Sequence, residues 1–309
     1  MLKLVMTTTS VAAKAGGSPL LIALKFIFLA LLWGSSFFFI KIAMTTLSWG
    51  QVAWSRVVAG GIFMLVFWLL SREKLPRDLV TWGHIAVAGV FGIGIPFIFF
   101  PWAEQFITSA VATIYNGLTP IMTAIIAVYV LRVENFNRNQ AAGVLVGLAG
   151  LVVVIAPWTI TDLGGSFWGQ IAALSAAVMY GFSGTYLKKY VFPRGVSAKA
   201  ISIIEVGAAT VFILLLTPFL ATGPLTIDWT TIIAIAIIGF GGTGLAYLWF
   251  NDVLESWGPT RASSVTYVMP IVGIMLGVVF LGETLHWYEP VGGAIVIAGV
   301  LIMRRQVKN

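Results

Sequence analysis

The sequence predicts an all-α integral membrane protein with ten transmembrane helices, arranged as two inverted five-helix repeats. Hydrophobic residues make up 59% of the 309-residue chain and charged residues 9%, with a mean hydropathy of +0.99. Such a chain has too little polar surface to cover a water-soluble globule, so we expect it in a bilayer. Its second half also repeats the first about 147 to 150 residues later. Trp33-Gly34-Ser35-Ser36 corresponds to Tyr180-Gly181-Phe182-Ser183, and Thr119-Pro120-Ile121 to Met269-Pro270-Ile271.

Ten apolar runs approach the roughly 20 residues that a helix needs to cross a bilayer. They span 20–44, 49–70, 81–103, 107–131, 139–157, 166–188, 197–220, 230–251, 259–281 and 287–304. The first five form a repeat over 20–157 and the last five a repeat over 166–304, which leaves terminal tails at 1–19 and 305–309. The first run continues to Met44 without a small-residue cleavage site, so we expect a retained helix and not a removed signal peptide.

The basic residues predict the orientation of these helices. Sixteen of the 18 lysines and arginines fall on one side: Lys3, Lys14, Lys25, Arg72, Lys74, Arg77, Arg132, Arg138, Lys188, Lys189, Arg194, Lys199, Arg261, Arg304, Arg305 and Lys308. Loops on the other side carry only Glu104, Asp162, Asp228, Glu283 and Glu289. Basic loops stay in the cytoplasm, so both tails are expected to be cytoplasmic in a multi-pass protein of the cell (inner) membrane.

The same count favours inversion of the repeats. Lys188 falls on the cytoplasmic side while its repeat partner Lys41 falls on the far side, and Glu134 and Glu283 are divided in the same way. Five helices per repeat require this result. Secondary transporters build their binding sites between such inverted halves, so the arrangement indicates transport.

Composition excludes several other classes of site. The chain has no cysteine, so disulfides and Cys-ligated zinc are excluded. The two histidines, His84 and His286, are expected at opposite faces, so neither a metal site nor a cofactor is predicted. The net charge of +7 sits in the loops that orient the helices, so no nucleic-acid partner is expected. The oligomeric state is left open, because a small-residue pattern in the fifth helix fits both internal packing and a dimer face.

Several motifs together resemble the drug/metabolite transporter superfamily and, within it, the EamA branch of small-molecule and amino-acid exporters. They are Trp33-Gly34-Ser35-Ser36-Phe37, Arg56, Leu281-Gly282-Glu283-Thr284-Leu285, Gly292-Gly293 and Gly299. The resemblance covers nearly the whole chain. It implies a ten-helix basket with a substrate cavity between the halves, the fifth and tenth helices at the periphery, and alternating access by rocking of the repeats.

Two charges within the apolar runs are candidates for the substrate site. Arg56 and Glu205 are repeat equivalents, each roughly 10–12 Å inside its own face of the bilayer. Charges at that depth are costly unless they are paired or face water. Together they are suited to the carboxylate and ammonium of a zwitterion, and Glu205 is also the candidate proton-coupling residue. The alternative is structural: Arg56 as a strut bonded to backbone carbonyls, and Glu205 as a hydrogen-bonded packing group.

Aromatic residues with a polar atom, and small polar residues beside them, complete the predicted substrate site. They are Trp33, Trp102, Tyr115, Asn116, Tyr180, Ser183, Tyr247 and Tyr267. A tyrosine within the hydrocarbon needs a hydrogen-bond partner or a wet cavity, whereas those at helix ends form an interfacial belt. The predicted hinge and gate residues are Pro96, Pro101, Pro120 and Pro270. Each removes a backbone donor, although static kinks would also explain them.

The sequence therefore favours a secondary active or facilitative transporter that exports amino acids or related small metabolites by alternating access. Its expected partners are that small molecule, the lipid bilayer and, if transport is coupled, a proton. An exporter of drugs or nucleoside-like compounds is the nearest alternative. A membrane-embedded enzyme of lipid or polyprenyl metabolism is disfavoured, because the chain lacks paired carboxylates, an activated nucleophile and ligand-spaced histidines.

Overall fold

The computed structural model describes residues 19–133, 138–156, 158, 165–257, 262, 265–266 and 269–304. The predicted tails, Glu134 and the predicted binding residue Tyr267 lie outside these ranges, except for Pro19. Within them the secondary structure is entirely helices joined by turns and short irregular connections. The prediction of an all-helical fold is therefore confirmed for the described residues.

Ten helical segments follow one another along the described residues. They are α1 (Pro19–Ala43), α2 (Trp49–Ser71), α3 (Leu79–Ala103), α4 (Ser109–Val130), α5 (Arg138–Ile155), α6 (Gly165–Tyr190), α7 (Ala198–Leu215), α8 (Trp229–Ser256), α9 (Met269–Leu281) and α10 (Tyr288–Arg304). Six of them, α1 to α4, α7 and α8, are long and apolar enough to cross a membrane. Shorter apolar stretches occupy Ala141–Val154 of α5 and Ile271–Leu281 of α9.

Polar side chains in the connections fix where several helices begin. Ser48 and Gln51 form a reciprocal capping box at the start of α2. Asp78 caps α3 by accepting from the backbone N–H of Val80 at 3.0 Å. Hydrogen bonds from Thr81 hold the pKa of the Asp78 carboxyl below its usual range. These caps satisfy backbone donors that the first turn of a helix leaves unpaired.

The helices end at two opposite faces. The face that carries Glu104, Asp228 and Glu283 is named the acid face, and there Thr226 Oγ1 donates to the backbone carbonyl of Thr46 at 2.9 Å. At the opposite face, which we name the basic face, Lys189 Nζ donates to the carbonyl of Leu131 at 2.8 Å. Lys25 also pairs there with Asp252 at 2.5 Å.

Helices α3, α4 and α8 are irregular near their centres. A wider π-helical turn occupies Val90–Gly94 of α3 and another occupies Ile237–Leu245 of α8. Helix α4 has a break at residues 117 and 118, directly before Pro120. Pro96 likewise follows the π-helical turn of α3, since a proline cannot donate the hydrogen bond of a regular helix. Pro101 lies in the regular last part of α3, and Pro270 belongs to the first turn of α9.

Contacts between the two halves of the chain occur in reciprocal pairs. Gly92 of α3 lies against the hydroxyl of Ser183 of α6, and Gly242 of α8 lies against the hydroxyl of Ser36 of α1. Ser36 and Ser183 are the corresponding serines of the repeated motif. Each half of the chain thus presents a glycine to the corresponding serine of the other half.

Helices α5 and α10 pack chiefly on each other through glycines. A Cβ atom on Gly150 would lie 2.7 Å from the backbone nitrogen of Val296, and one on Gly292 would lie 2.8 Å from that of Val154. Real Cβ atoms do not come this close to backbone, so the helices approach to a distance that only glycine permits.

Replacing Gly150 by alanine is therefore expected to destabilise the protein. The added methyl group overpacks a backbone contact, which costs about 1–3 kcal/mol of unfolding free energy. Thermal unfolding in detergent measures the change. Gly207→Ala is the matched control, because nothing lies within 4 Å of a Cβ there and alanine is the better helix former. Equal midpoints for the two variants would contradict the close approach of α5 and α10.

Candidate functional site

A cavity lies between the halves of the chain, with about 850 Å³ of empty space when the solvent at its mouth is included. Helices α1 to α4 and α6 to α9 all contribute to its lining. Seven residues predicted from the sequence are brought together on its wall: Trp33, Arg56, Asn116, Tyr180, Ser183, Glu205 and Tyr247. The remaining wall is largely apolar and aromatic, a composition suited to a small ligand held by a few polar groups.

The guanidinium of Arg56 is held by an unusually small set of polar contacts. Its Nε donates to Thr243 Oγ1 at 3.2 Å, and its Cζ lies 3.7 Å from the centroid of the Phe97 ring. The side chain is only 4% exposed. Among the described residues no carboxylate forms an ion pair with it. The cation is thus stabilised by a ring face and one hydroxyl, and further donors of the guanidinium remain for a ligand in the cavity.

Glu205 is held differently, by a side-chain network near the basic face. Its Oε2 accepts from Asn251 Nδ2 at 2.9 Å, and the same amide group donates to Ser202 Oγ at 2.8 Å. The residue is 2% exposed and lines the same cavity as Arg56. The two charges form no direct ion pair. The cavity therefore presents a cation and an acidic group at separate positions on its wall.

Aromatic side chains from both halves form the wall near Arg56. Trp33 Nε1 donates to the carbonyl of Gly242 at 2.8 Å, and the Trp33 ring meets the Tyr247 ring edge-on at 5.5 Å. Tyr247 donates its hydroxyl to the carbonyl of Gly92 at 2.5 Å. Both carbonyls belong to the π-helical turns of α3 and α8. These hydrogen bonds orient the rings and leave their faces for contact with a ligand.

Three further wall residues carry short polar groups or a hydroxyl. Asn116 Nδ2 contacts the sulfur of Met269 at 3.4 Å, a weak interaction that leaves the amide available. Ser183 Oγ is already engaged, since it donates to the carbonyl of Ala88 at 2.9 Å. Tyr180 stacks on Phe100 with ring centroids 6.1 Å apart. Asn116 is therefore better placed than Ser183 to donate to a ligand.

Two predicted binding residues lie away from the cavity lining. Trp102 packs edge-on against Phe106 at 5.1 Å, near the acid face. Tyr115 is fully buried and donates its hydroxyl to Gln170 Oε1 at 2.6 Å. Its polar atom therefore has a protein partner and needs no ligand. Tyr267, the remaining predicted residue, lies outside the described part of the chain.

The structure adds residues that the sequence interpretation did not select. Phe97 and Thr243 hold Arg56, and Asn251 holds Glu205. Asn251 follows Tyr247 by one helical turn, so it lies on the same face of α8 as a selected residue, and this spacing was a usable signal. Phe97 carried no such signal, because it is one apolar residue among many in α3.

Neither histidine belongs to a group of potential metal ligands within the described ranges. His84 Nδ1 lies 2.8 Å from the hydroxyl of Tyr186. His286 pairs with Glu289 at 3.7 Å. Among the described residues, no set of three His, Cys, Asp or Glu side chains is close enough to hold a metal ion.

Comparison with known proteins gives this architecture a family. The model of the EamA-like transporter family matches residues 20–156 and 167–305. An uncharacterized inner membrane transporter, YedA of Escherichia coli strain K12, is 27% identical over 282 residues, covering 89% of this chain and 88% of its own. A probable amino-acid metabolite efflux pump of Salmonella typhimurium is 27% identical over 298 residues, covering 89% and 93%.

Two further matches extend the comparison. A probable terminal-alkyne amino-acid exporter of Streptantibioticus cattleyicolor is 22% identical over 277 residues, covering 89% of this chain and 90% of its own. A solved crystal structure with 20% sequence identity covers 93% of this chain and 97% of its own, with a TM-score of 0.65, and so shows the same fold. With two matched segments that together span most of its length, the chain belongs to the EamA-like transporter family, which is a family of membrane transporters and not of enzymes.

Proposed function

We propose that this protein exports amino acids or related small metabolites across the cell membrane by alternating access. The observation that carries the proposal is the shared cavity, in which the Arg56 guanidinium has one hydrogen bond and no carboxylate partner among the described residues. A buried cation in a water-accessible cavity is a receptor for an anionic group. The printed names of two relatives, an amino-acid metabolite efflux pump and an amino-acid exporter, support the same substrate class.

The chemistry of the wall favours a zwitterion over other small molecules. Arg56 offers donors to a carboxylate, and the Glu205 carboxyl on the same wall offers acceptors to an ammonium group. Drugs and nucleoside-like compounds are the second candidate class, supported by the aromatic wall around Trp33 and Tyr247. Most of them lack a carboxylate and would leave Arg56 without an anionic partner.

We propose further that ten helices cross the membrane as two inverted repeats. The reciprocal contacts of Gly92 with Ser183 and of Gly242 with Ser36 support this arrangement, because a two-fold axis in the membrane plane exchanges the members of such pairs. The packing of α5 on α10 supports it as well. Gly150 lies against α10 near Gly292, and Gly299 lies against α5 with a Cβ 2.7 Å from the carbonyl of Gly143.

The proposed orientation places the basic face in the cytoplasm of a cell whose inner membrane holds the protein. Excess lysine and arginine at that face supports it. Leu187 and Leu254 line the cavity near the basic face. Under the proposed orientation, the cavity in this conformation therefore extends toward the cytoplasm. The irregular centres of α3, α4 and α8, beside Pro96 and Pro120, are the proposed hinges, with Pro101 and Pro270 as further gating residues.

Arg56→Ala is expected to weaken amino-acid binding by about 10- to 100-fold. A hydrogen bond to a charged group contributes about 1.5–3 kcal/mol, and the substitution removes every donor of the guanidinium. Calorimetry on the detergent-solubilised protein with an amino-acid panel measures the change. The matched ligand control is the corresponding amino-acid amide, which lacks the carboxylate and should bind the wild type and the variant equally. A variant that folds and binds both ligands like the wild type would assign Arg56 a structural role.

Glu205→Gln is expected to abolish the dependence of transport on a pH gradient. Glutamine keeps the volume and accepts the hydrogen bond from Asn251, but it cannot exchange a proton. In proteoliposomes, counterflow measures substrate exchange alone, and gradient-driven uptake measures coupling to the pH gradient. In the variant, counterflow should persist while the gradient response is lost. Glu255→Gln, at an exposed carboxyl of α8, is the control and should keep both. An intact gradient response in Glu205→Gln would reject this residue as the proton carrier.

Labelling of single cysteines should place both ends of the chain on the cytoplasmic side. Because the natural sequence has no cysteine, one introduced at Thr7 or at Gln306 is the sole reactive thiol. An impermeant maleimide added to intact cells should react with neither position and should react with both after permeabilisation. A cysteine at exposed Thr226, on the acid face, should react in intact cells. Ends that label from different sides would refute the five-helix inverted repeat.

A further inference from the structure

Glu104 is a buried carboxyl that forms no ion pair or side-chain hydrogen bond with any residue the structure describes. It directly follows the last residue of α3 at the acid face, where the sequence predicts a loop. The structure instead places it at 0% exposure, and neither carboxylate oxygen has a hydrogen-bond partner within the described part of the chain. A buried carboxylate that is neither paired nor hydrogen-bonded is strongly unfavourable, so this conformation requires the neutral, protonated group.

The charged groups around Glu104 do not supply the missing partner. Lys41, at the end of α1, donates to the backbone carbonyl of Glu104 and forms no ion pair with its carboxylate. Glu283, which precedes α10, is already engaged: it accepts from the backbone N–H of Ser109 at 2.9 Å and so caps α4. Arg56 of α2 is the third charge that acts on the group. Beyond Glu283, Glu289 is paired with His286, and α6 presents the neutral Gln170 on this side.

These surroundings give the titration of Glu104 a clear direction. Burial raises the pKa of the Glu104 carboxyl well above its usual range, Lys41 and Arg56 oppose that rise, and Glu283 adds to it. The conformation seen here, in which Glu104 is buried, therefore binds a proton at this carboxyl. A conformation that opens the acid face and hydrates Glu104, with an ordinary pKa of about 4.3, would release that proton. Relative to an open conformation, the closed one is favoured in acid and loses that advantage as the pH rises toward the raised value.

Glu104 also lies where the acid face is sealed. Phe100, one helical turn before it, meets Phe37 edge-on with ring centroids 4.9 Å apart, and both rings line the cavity. Ile107 and Ser109 beyond them are buried. The carboxyl thus occupies the layer between the cavity and the aqueous phase at the acid face.

We propose that Glu104 is a proton-binding site that locks the acid face closed. With the carboxyl protonated, α1 and α3 remain packed together and Lys41 stays on the backbone carbonyl. Opening hydrates the carboxyl, its proton passes to water at the acid face, and the carboxylate that forms lies beside the Lys41 ammonium. Rebinding of a proton from the same side permits closure. This inference rests on the alternating access proposed above, and it assigns the proton an action at the gate that is separate from coupling at Glu205.

Thiol accessibility at the acid face tests the lock. Ile107→Cys places a reporter in the sealed layer, and Gln105→Cys provides an exposed reference two residues away. Both are labelled with an impermeant maleimide in proteoliposomes between pH 5 and 8, and the ratio of their rates removes the pH dependence of the thiol itself. The labelling rate of Ile107→Cys divided by that of Gln105→Cys should rise at least several-fold from acid to alkaline pH. In Glu104→Gln, which mimics the protonated group, it should stay low throughout.

Matched variants make the result decisive. Asp228→Asn alters an exposed carboxyl at the same face, keeps the capping of α8 and should retain the pH response. Glu104→Met, neutral and of similar length, should reproduce Glu104→Gln if the glutamine variant folds poorly. A ratio that does not change with pH in the wild type, or that changes equally in both Glu104 variants, would overturn the proposal. The labelling is done without substrate, so a failure to transport amino acids would refute the proposed function and leave this readout intact.

Discussion

The burial of one arginine within an apolar helix is the constraint on which the rest of the site depends. Arginine stays charged at any accessible pH, so Arg56 needs compensation wherever the fold places it. Here the compensation is the Phe97 ring, one hydroxyl of Thr243 and a cavity. The hydroxyl comes from the π-helical turn of α8, and the same turn offers a carbonyl to Trp33. One π-helical turn thus supplies both the hydroxyl that contacts Arg56 and the carbonyl that orients Trp33.

Close contacts between small residues create the frame around that cavity. Ser36 and Ser183 each meet a glycine of the opposite half, and α5 and α10 are joined through glycines in the same reciprocal manner. The backbones of the halves are therefore alike where they touch, while their chemistry differs at mid-depth. Arg56 and Glu205 occupy equivalent positions with opposite charge and with unlike partners, one on a ring face and the other in an amide network. Two similar halves thus hold an asymmetric site, which is what the proposed recognition of the two ends of a zwitterion would require.

The sequence predicted the frame better than the details of the site. Apolar runs set the helices to within a few residues at most ends, because the length and the hydropathy of a helix are properties of contiguous residues. Partners distant in the chain could not be read in the same way. Tyr115 was selected because a buried hydroxyl needs a partner, and that partner is Gln170 inside the protein. Glu104 was assigned to a loop, whereas the fold buries it completely and Lys41, at the end of α1, donates to its backbone carbonyl. Asn251 is the exception, since its spacing from Tyr247 was visible.

The proposed alternating access requires that one cavity open in turn to the two faces. Double electron–electron resonance tests it most directly, since the cysteine-free chain accepts pairs of spin labels at chosen exposed sites. One pair of labels is placed at exposed Gln105 and Thr226 on the acid face. The other pair is placed at exposed Arg72 and Lys189 on the basic face. Reciprocal changes are expected on adding an amino acid that the protein binds: one distance distribution shifts longer as the other shifts shorter. Distances that lengthen together, or that stay unchanged while the ligand binds, would contradict it.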